Sequence, residues 1–195
     1  MANVKLSARE LDMVCNADII LTKNNIITKV YDLFGALSEY YIKEGKFLLP
    51  DEVQSVAPKI SRGENYEGLP WVMLDYPRHF KGDDQFAVRT FFWWGNFISI
   101  ALQLKGKYAS QCNIANMITE MNDWYLCCNE NEWQHHFRED NYKRLNSFSA
   151  GEINQLPFVK LAAKMALTNF NDAEYFLRQR FDELMQGIKK AASVN

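Results

Sequence analysis

The chain lacks the short motifs that identify common catalytic and cofactor-binding sites. It has no Gly-x-Gly-x-x-Gly or P-loop pattern, which argues against a doubly wound nucleotide-binding fold, and no Gly-x-Ser-x-Gly elbow of a serine hydrolase. Its four cysteines do not stand in zinc-type or redox Cys-x-x-Cys spacing. No motif therefore identifies a reaction, and we expect no cofactor.

A strong charge of one sign and a long apolar run are also missing. The 195 residues carry a formal net charge of -2, with Lys and Arg dispersed, so nothing favours binding to nucleic acid. Arg89 and Gln103 interrupt the most apolar stretch, which leaves no run of the roughly 18 residues that a membrane-spanning helix needs. The chain begins without a secretory leader pattern. We expect a soluble cytoplasmic protein with reduced thiols that binds neither nucleic acid nor membrane.

Hydrophobic residues make up 48% of the chain, enough for a substantial core, and we expect a single globular α+β domain over residues 1–195. Its most informative segment, residues 86–104, predicts a β-hairpin in which Gly95-Asn96 forms a two-residue turn. Pairing Trp94 with Phe97 would place Arg89 on an apolar face with Ile98, Ile100 and Leu102. Both faces of the hairpin would be largely apolar. We therefore expect each face to be covered, and a second copy of the chain in a homodimer could provide that cover.

Helices are predicted at both ends of the chain. Ser7 begins a capping box for a short helix that ends near Cys15, and Asn16 can cap a long amphipathic helix that ends near Lys43. Asn171 or Asp172 can cap the last helix.

The middle of the chain reads mainly as strands, with one further helix over residues 107–122. The predicted strands are residues 69–76, the hairpin, residues 159–167, and a second hairpin that pairs residues 124–128 with residues 133–137. An amphipathic helix remains an alternative for the strand near residue 159. The fold class is therefore α+β, with a mainly antiparallel sheet built around a central hairpin and flanked by N-terminal and C-terminal helices.

The first candidate site is a group of polar residues near the predicted sheet. Its members are Arg62, Tyr66, Asp75, Arg78, His79 and Arg89. If the strand that ends at Tyr76 runs beside the hairpin, Asp75 comes near Arg89. This pair could hold the sheet together by neutralising one buried charge, or it could form the base of a pocket for a small anionic or polar ligand.

The second candidate site contains potential metal ligands. They are Cys128, His135, His136 and Asp140. In the predicted hairpin, neighbouring residues would point to opposite faces, so the four could not bind one metal ion and no metal is expected. If residues 132–144 were helical, His136 and Asp140 would form an i, i+4 pair that could bind zinc or iron. That arrangement would make the protein a metal-dependent or acid-base enzyme that uses the region of His135 and His136.

Three segments resemble uncharacterised bacterial proteins of about this size. They are NADIILTKNNIITKVYDLFG at residues 16–35, ENYEGLPWVMLDYPR at residues 64–78 and TFFWWGN at residues 90–96. The resemblance implies a bacterial origin and carries no activity or site residue. The leading prediction is a cytoplasmic domain that binds a small ligand or a protein partner through an aromatic face of its sheet.

Overall fold

The computed structural model describes residues 4–119 and 121–192, which form an α+β fold. The helices are α1 (Ala8–Cys15), α2 (Ala17–Gly45), α3 (Asp51–Gln54), α4 (Lys107–Ser110), α5 (Ile114–Met117), α6 (Ala150–Asn154) and α7 (Ala173–Ala192). The strands are β1 (Lys59–Tyr66), β2 (Leu69–Lys81), β3 (Asp84–Trp93), β4 (Phe97–Lys105), β5 (Tyr125–Cys127), β6 (Tyr142–Arg144) and β7 (Phe158–Ala166). They form an antiparallel sheet in the order β1-β2-β3-β4-β7-β5-β6.

The predicted caps mark where the first two helices begin, and the apolar periodicity of α2 and α7 explains why these helices cover one face of the sheet. The Ser7 hydroxyl accepts a hydrogen bond from the Glu10 amide, and the Asn16 side chain accepts one from the Asp18 amide, so each helix begins where the sequence predicts. Apolar residues of α2 and α7 then pack on β2 to β4 as the main core. Tyr41 stacks on Phe181 with ring centroids 4.0 Å apart and joins the two helices.

An irregular stretch of chain covers the opposite face. We call residues 128–141 the covering segment; it contains turns and bends but no helix or strand. Phe137 stacks on Tyr142 with centroids 4.5 Å apart, and the His135 ring lies 4.8 Å from that of Phe91. Both faces of the central hairpin are thus covered by this chain. The apolar sheet surface on which we based the expected homodimer is buried within one molecule.

The predicted register of the central hairpin is wrong by one residue. Trp93, rather than Trp94, pairs with Phe97, and residues 94–96 form a three-residue loop in which Gly95 has a φ of 71°. This shift moves Arg89 beside Ala101 and away from the isoleucines. The longer loop is favoured because it turns the purely apolar residues of β4 toward the helices, whereas the polar ones share the face of Arg89.

Two other predictions need correction, and one strand was missed. Strand β5 pairs with residues 142–144 instead of residues 133–137, because the latter cross over the sheet as part of the covering segment. The predicted helix over residues 107–122 is two short helices, α4 and α5, and Glu120 lies outside the described residues. Strand β1 was not predicted, since its polar sequence suits an edge strand and Gly63 interrupts it. Strand β7 is confirmed as a strand.

In the described part of the chain, no helix has both the length and the apolar character needed to cross a membrane.

Replacing each of two helical glycines with alanine should have opposite effects on stability. A Cβ atom on Gly187 would lie 2.8 Å from the main-chain oxygen of Met117, whereas one on Gly35 would meet nothing within 4 Å. We expect Gly187→Ala to destabilise the fold by about 1–3 kcal/mol through overpacking. Gly35→Ala should stabilise it by about 0.5–1 kcal/mol, because alanine favours the helix. Urea unfolding of both variants measures the difference, and equal effects would contradict the close packing of α7 on α5.

Candidate functional site

Buried and half-buried polar residues lie between the sheet and the covering segment, at the centre of an otherwise aromatic face. We call them the polar cluster; its members are Asp75, Gln85, Arg89, Gln103, Lys105, Glu132, His135 and Lys160. Strands β2, β3, β4 and β7 carry six of them, and the covering segment carries Glu132 and His135. Aromatic residues of β1 and β3, including Tyr66, Phe91 and Trp93, flank the cluster on one side.

Asp75 and Arg89 form an ion pair at one end of the cluster. They are cross-strand neighbours on β2 and β3, as strand alternation predicts, and Arg89 Nε donates to Asp75 Oδ1 at 2.8 Å. Each side chain is only 11% exposed. Among the described residues, the buried Arg89 Nη1 has no hydrogen-bond partner. The Trp133 ring covers the guanidinium, with its centroid 5.1 Å away. Arg89 thus keeps donor capacity that its carboxylate does not use.

Lys160 lies deeper and is fully buried. Its Nζ donates to two main-chain oxygens of the covering segment, those of Glu132 at 2.7 Å and Gln134 at 2.6 Å. No ion pair with a carboxylate is formed within the described residues. The pKa of Lys160 is lowered to about 7, chiefly by burial; the charge of Arg89 also lowers it, whereas Cys127 and Glu132 act in the opposite direction. Near neutral pH, this amine therefore exists in both its protonated and its neutral form.

The pKa of His135 is affected by both Lys160 and Arg89. Burial, followed by the positive charges of Lys160 and Arg89, holds the pKa of His135 well below its ordinary value. The Tyr66 hydroxyl accepts hydrogen bonds from the main-chain amides of His135 at 2.8 Å and of His136 at 3.2 Å. Because the His135 ring is neutral at pH 7, it adds no charge to the cluster.

Glu132 ties the covering segment to the other end of the cluster. It accepts hydrogen bonds from Lys105 at 2.8 Å and from Gln85 at 3.3 Å. Burial raises the pKa of Glu132, but these hydrogen bonds together outweigh burial and leave the pKa lowered. Gln103 donates to Gln85 at 2.5 Å, which continues the network across the sheet. The covering segment is thus held by side-chain contacts rather than by a strand ladder.

Only part of the first predicted site is brought together. Tyr66, Asp75 and Arg89 share the face of the polar cluster. Arg62 is exposed on the edge strand β1, and Arg78 donates to the main-chain oxygen of Ala57 at 3.2 Å.

His79 lies on the opposite face, where its Nδ1 is 2.5 Å from the Tyr108 hydroxyl. The predicted strand ended at Tyr76, whereas β2 continues to Lys81 and contains His79. Pairing shifts between Asp75 and Arg78, which changes the faces of the residues that follow.

The predicted metal ligands are not brought together. His136 Nδ1 lies 3.9 Å from Asp140 Oδ1, whereas the His135 ring packs on Phe91. Cys128 Sγ donates to the main-chain oxygen of Glu139 at 3.7 Å. Within residues 4–119 and 121–192, no group of three His, Cys, Asp or Glu side chains could hold a metal ion. Neither the predicted strand nor the alternative helix forms here, because the covering segment is irregular.

Lys160 is the functional candidate that the sequence analysis missed. The available signal was a lysine in the first half of a mainly apolar strand, with Ala162 two positions further on the same face; the second lysine of the strand, Lys164, lies near its exposed end. Two basic members of the cluster have carboxylate partners: Arg89 pairs with Asp75, and Lys105 pairs with Glu132. Lys160 is the basic group left over.

A small anion would complete this charge pattern, because buried cations are stable when they are paired. Comparisons with known proteins do not assign the site: no family model matches the chain, no curated protein matches its sequence, and no solved structure matches its fold.

Proposed function

We propose that the protein is a cytoplasmic, non-catalytic domain that binds a small anionic ligand, a carboxylate or a phosphate, at the polar cluster. The observation that carries the proposal is the fully buried Lys160, which has main-chain acceptors but no carboxylate, near an arginine with an unpartnered Nη1. The proposed location rests on the four cysteines, all of which are free thiols, as in a reducing compartment.

Small side chains of the sheet lie between the two cationic groups. Along the sheet, Arg89 is followed by Ala101 on β4 and Ala162 on β7, and Tyr142 packs on these alanines. A guanidinium can direct its unused N–H groups toward one oxygen of an anion, and the ammonium can neutralise the charge. Together they form a base that suits a single carboxylate or phosphate.

Access would require movement of the covering segment near Trp133. Its side chain lies over Arg89, and the residue is 46% exposed. Asn131 and its neighbours form turns rather than a strand. Displacement of one indole ring would expose the guanidinium while the contacts of Glu132 and Tyr66 still held the segment. The aromatic face would then act as a wall of the binding site.

Titration calorimetry with inorganic phosphate, acetate and succinate tests the proposal. We expect saturable binding of at least one anion at pH 6.5, with an affinity that falls up to about tenfold for each pH unit above 7, because the anion selects the protonated lysine. Lys160→Met should abolish binding, and Arg89→Lys should weaken it by removing the fork of donors. Lys143→Met, an exposed lysine on β6, is the matched control and should bind like the wild type.

The outcome that contradicts the proposal is equally definite. If none of the three anions binds saturably between pH 6 and 8, or if folded Lys160→Met binds as well as the wild type, the polar cluster is a structural network that fastens the covering segment. Circular dichroism establishes that each variant is folded before it is titrated.

A further inference from the structure

The buried Lys160 amine has hydrogen-bond acceptors for two N–H groups and not for a third. Within the described residues, its Nζ donates only to the main-chain oxygens of Glu132, at 2.7 Å, and Gln134, at 2.6 Å. The centroid of the Tyr142 ring lies 5.8 Å from Nζ, at the outer limit of a cation–π contact. An ammonium has three donors, whereas a neutral amine has two donors and one lone pair. The two oxygens therefore satisfy the neutral amine, and its lone pair is left without a role in the fold.

The surroundings of Lys160 favour this neutral form. The residue is fully buried, and none of the ion pairs formed by the described residues includes it. The charge of Arg89 acts with burial to lower the pKa of Lys160 to about 7. A lysine becomes a nucleophile when it is desolvated or lies next to another cationic group, and both conditions hold here. Its lone pair is therefore available for a reaction near neutral pH.

A group that can hold a carboxylate lies on the same face of the sheet. Lys160 is level with Gln103 on β4 and with Ala87 on β3, and Arg89 follows two positions along β3. Residues two positions apart in a strand share a face, and two strand spacings span about 10 Å. The two long side chains cross this distance from opposite sides. Because Arg89 Nη1 has no partner among the described residues, the guanidinium can bind a carboxylate whose molecule extends toward Lys160.

We propose that the ligand of the polar cluster is a small oxo acid, whose carboxylate binds Arg89 and whose carbonyl carbon is captured by Lys160 as a reversible Schiff base. This inference rests on the proposed anion site and names the chemical class of its ligand. A simple carboxylate uses only the charges of the site, whereas an aldehyde or ketone group also uses the lone pair of the amine.

The covalent step needs no reagent besides the oxo acid. The Lys160 ammonium first releases a proton, and the nitrogen lone pair then forms a bond to the carbonyl carbon. The electron pair of the C=O bond moves to the oxygen, which takes a proton from the nitrogen. As the C=N bond forms, the hydroxyl group leaves with the proton that was released at the start, so that the by-product is water. The product is an iminium with a single N–H and a single positive charge, equal to the charge of the original ammonium.

The buried site also suits this product. The remaining N–H can donate to the main-chain oxygen of Glu132 or to that of Gln134, both of which already bind the nitrogen. The carboxylate of the ligand, held at Arg89, would lie close to the positive iminium. Exclusion of water by the covering segment would slow hydrolysis of the C=N bond. The Schiff base would therefore persist while the segment is closed and release the oxo acid when it opens.

Reductive trapping on the full chain tests the inference. Sodium cyanoborohydride converts a Schiff base to a stable secondary amine, and pyruvate and succinic semialdehyde are the probes, each at pH 7. With at least one of them, we expect a single reduced adduct per chain in the intact mass and its location at Lys160 by peptide mapping. Excess succinate should slow the reaction, because it competes for Arg89. Lys160→Met should form no such adduct, whereas Lys143→Met, which removes an exposed lysine, should react like the wild type.

Two hydroxy acids separate this inference from the proposed function. Lactate and 4-hydroxybutyrate have the carboxylate and the chain length of the two probes, but they have no carbonyl group. In titration calorimetry without the reductant, the oxo acid that is trapped should bind at least about tenfold more tightly than the matching hydroxy acid. The hydroxy acids report the anion site alone, and the difference reports the covalent bond.

The absence of an adduct at Lys160 would overturn the inference. If the hydroxy acids still bound, the anion site would stand without the Schiff base; if no acid bound, both proposals would fail. Adducts confined to exposed lysines, or a Lys160 adduct whose formation excess succinate does not slow, would also contradict it. Peptide mapping of the wild type decides the position of the adduct even if circular dichroism shows that Lys160→Met does not fold.

Discussion

The wild-type protein should become more stable as the pH rises from 7 toward 10, and Lys160→Met should lose this gain. Burial lowers the pKa of Lys160 from 10.5 to about 7 in the folded protein. Between these values the unfolded chain holds a proton that the folded protein does not, so raising the pH removes an advantage of the unfolded state. We expect the free energy of unfolding of the wild type, relative to that of the variant, to rise by about 1.4 kcal/mol per pH unit.

Urea unfolding at pH 7.5, 8.5 and 9.5 measures this difference. Burial raises the pKa of the thiols of Cys112 and Cys127, which opposes the lysine effect at high pH. The Cys112 contribution is the same in both proteins, so the difference between wild type and variant reports Lys160 together with its interaction with Cys127. Lys143→Met, which removes an exposed lysine, should follow the wild type. Parallel curves for the wild type and Lys160→Met would mean that the amine keeps its ordinary pKa and is hydrated.

Asp75→Asn should be among the most destabilising single substitutions of a charged residue. The change leaves the Arg89 guanidinium buried without its carboxylate, and breaking a buried ion pair from one side costs about 3–5 kcal/mol. Urea unfolding measures the loss. The double variant Asp75→Leu/Arg89→Met should recover most of it, because two apolar side chains leave no charge unpaired between β2 and β3.

Glu174→Gln is the matched control for this experiment. It breaks the Arg178–Glu174 pair on α7, whose side chains are 40% and 49% exposed, and should cost less than about 1 kcal/mol. If Asp75→Asn cost no more than this control, water would have to reach Arg89, and the polar cluster would not be the closed site described above.

Local patterns in the sequence were sufficient for the helices at both ends of the chain and for most strands. Ser7 and Asn16 begin their helices where their side chains cap the free amides, and that interaction involves residues two or three positions apart. Strand alternation also placed Asp75 near Arg89, because residues on one face of adjacent strands recur every second position.

Features that depend on distant residues could not be predicted in the same way. The hairpin register depended on whether the loop at Gly95 has two or three residues, and both lengths are compatible with the local sequence. The sequence of the covering segment has no regular hydrophobic pattern. The segment is held in place by side chains from different strands, such as those of Lys105, Tyr66 and Lys160. For this reason the local sequence of residues 133–137 predicts a strand that the fold does not contain.

The sequence by itself determined the α+β class, the two capped helices at the N-terminal end, the helix at the C-terminal end and the antiparallel hairpin at the centre, because these follow from contacts between residues close in the chain. Tertiary structure alone decided which face Arg89 occupies, that Lys160 is buried with no carboxylate partner among the described residues, and that residues 4–22 are exposed. Each of these depends on what lies across the sheet or beyond a turn. Burial, which lowers the pKa of Lys160, is a property of the assembled fold rather than of any local segment.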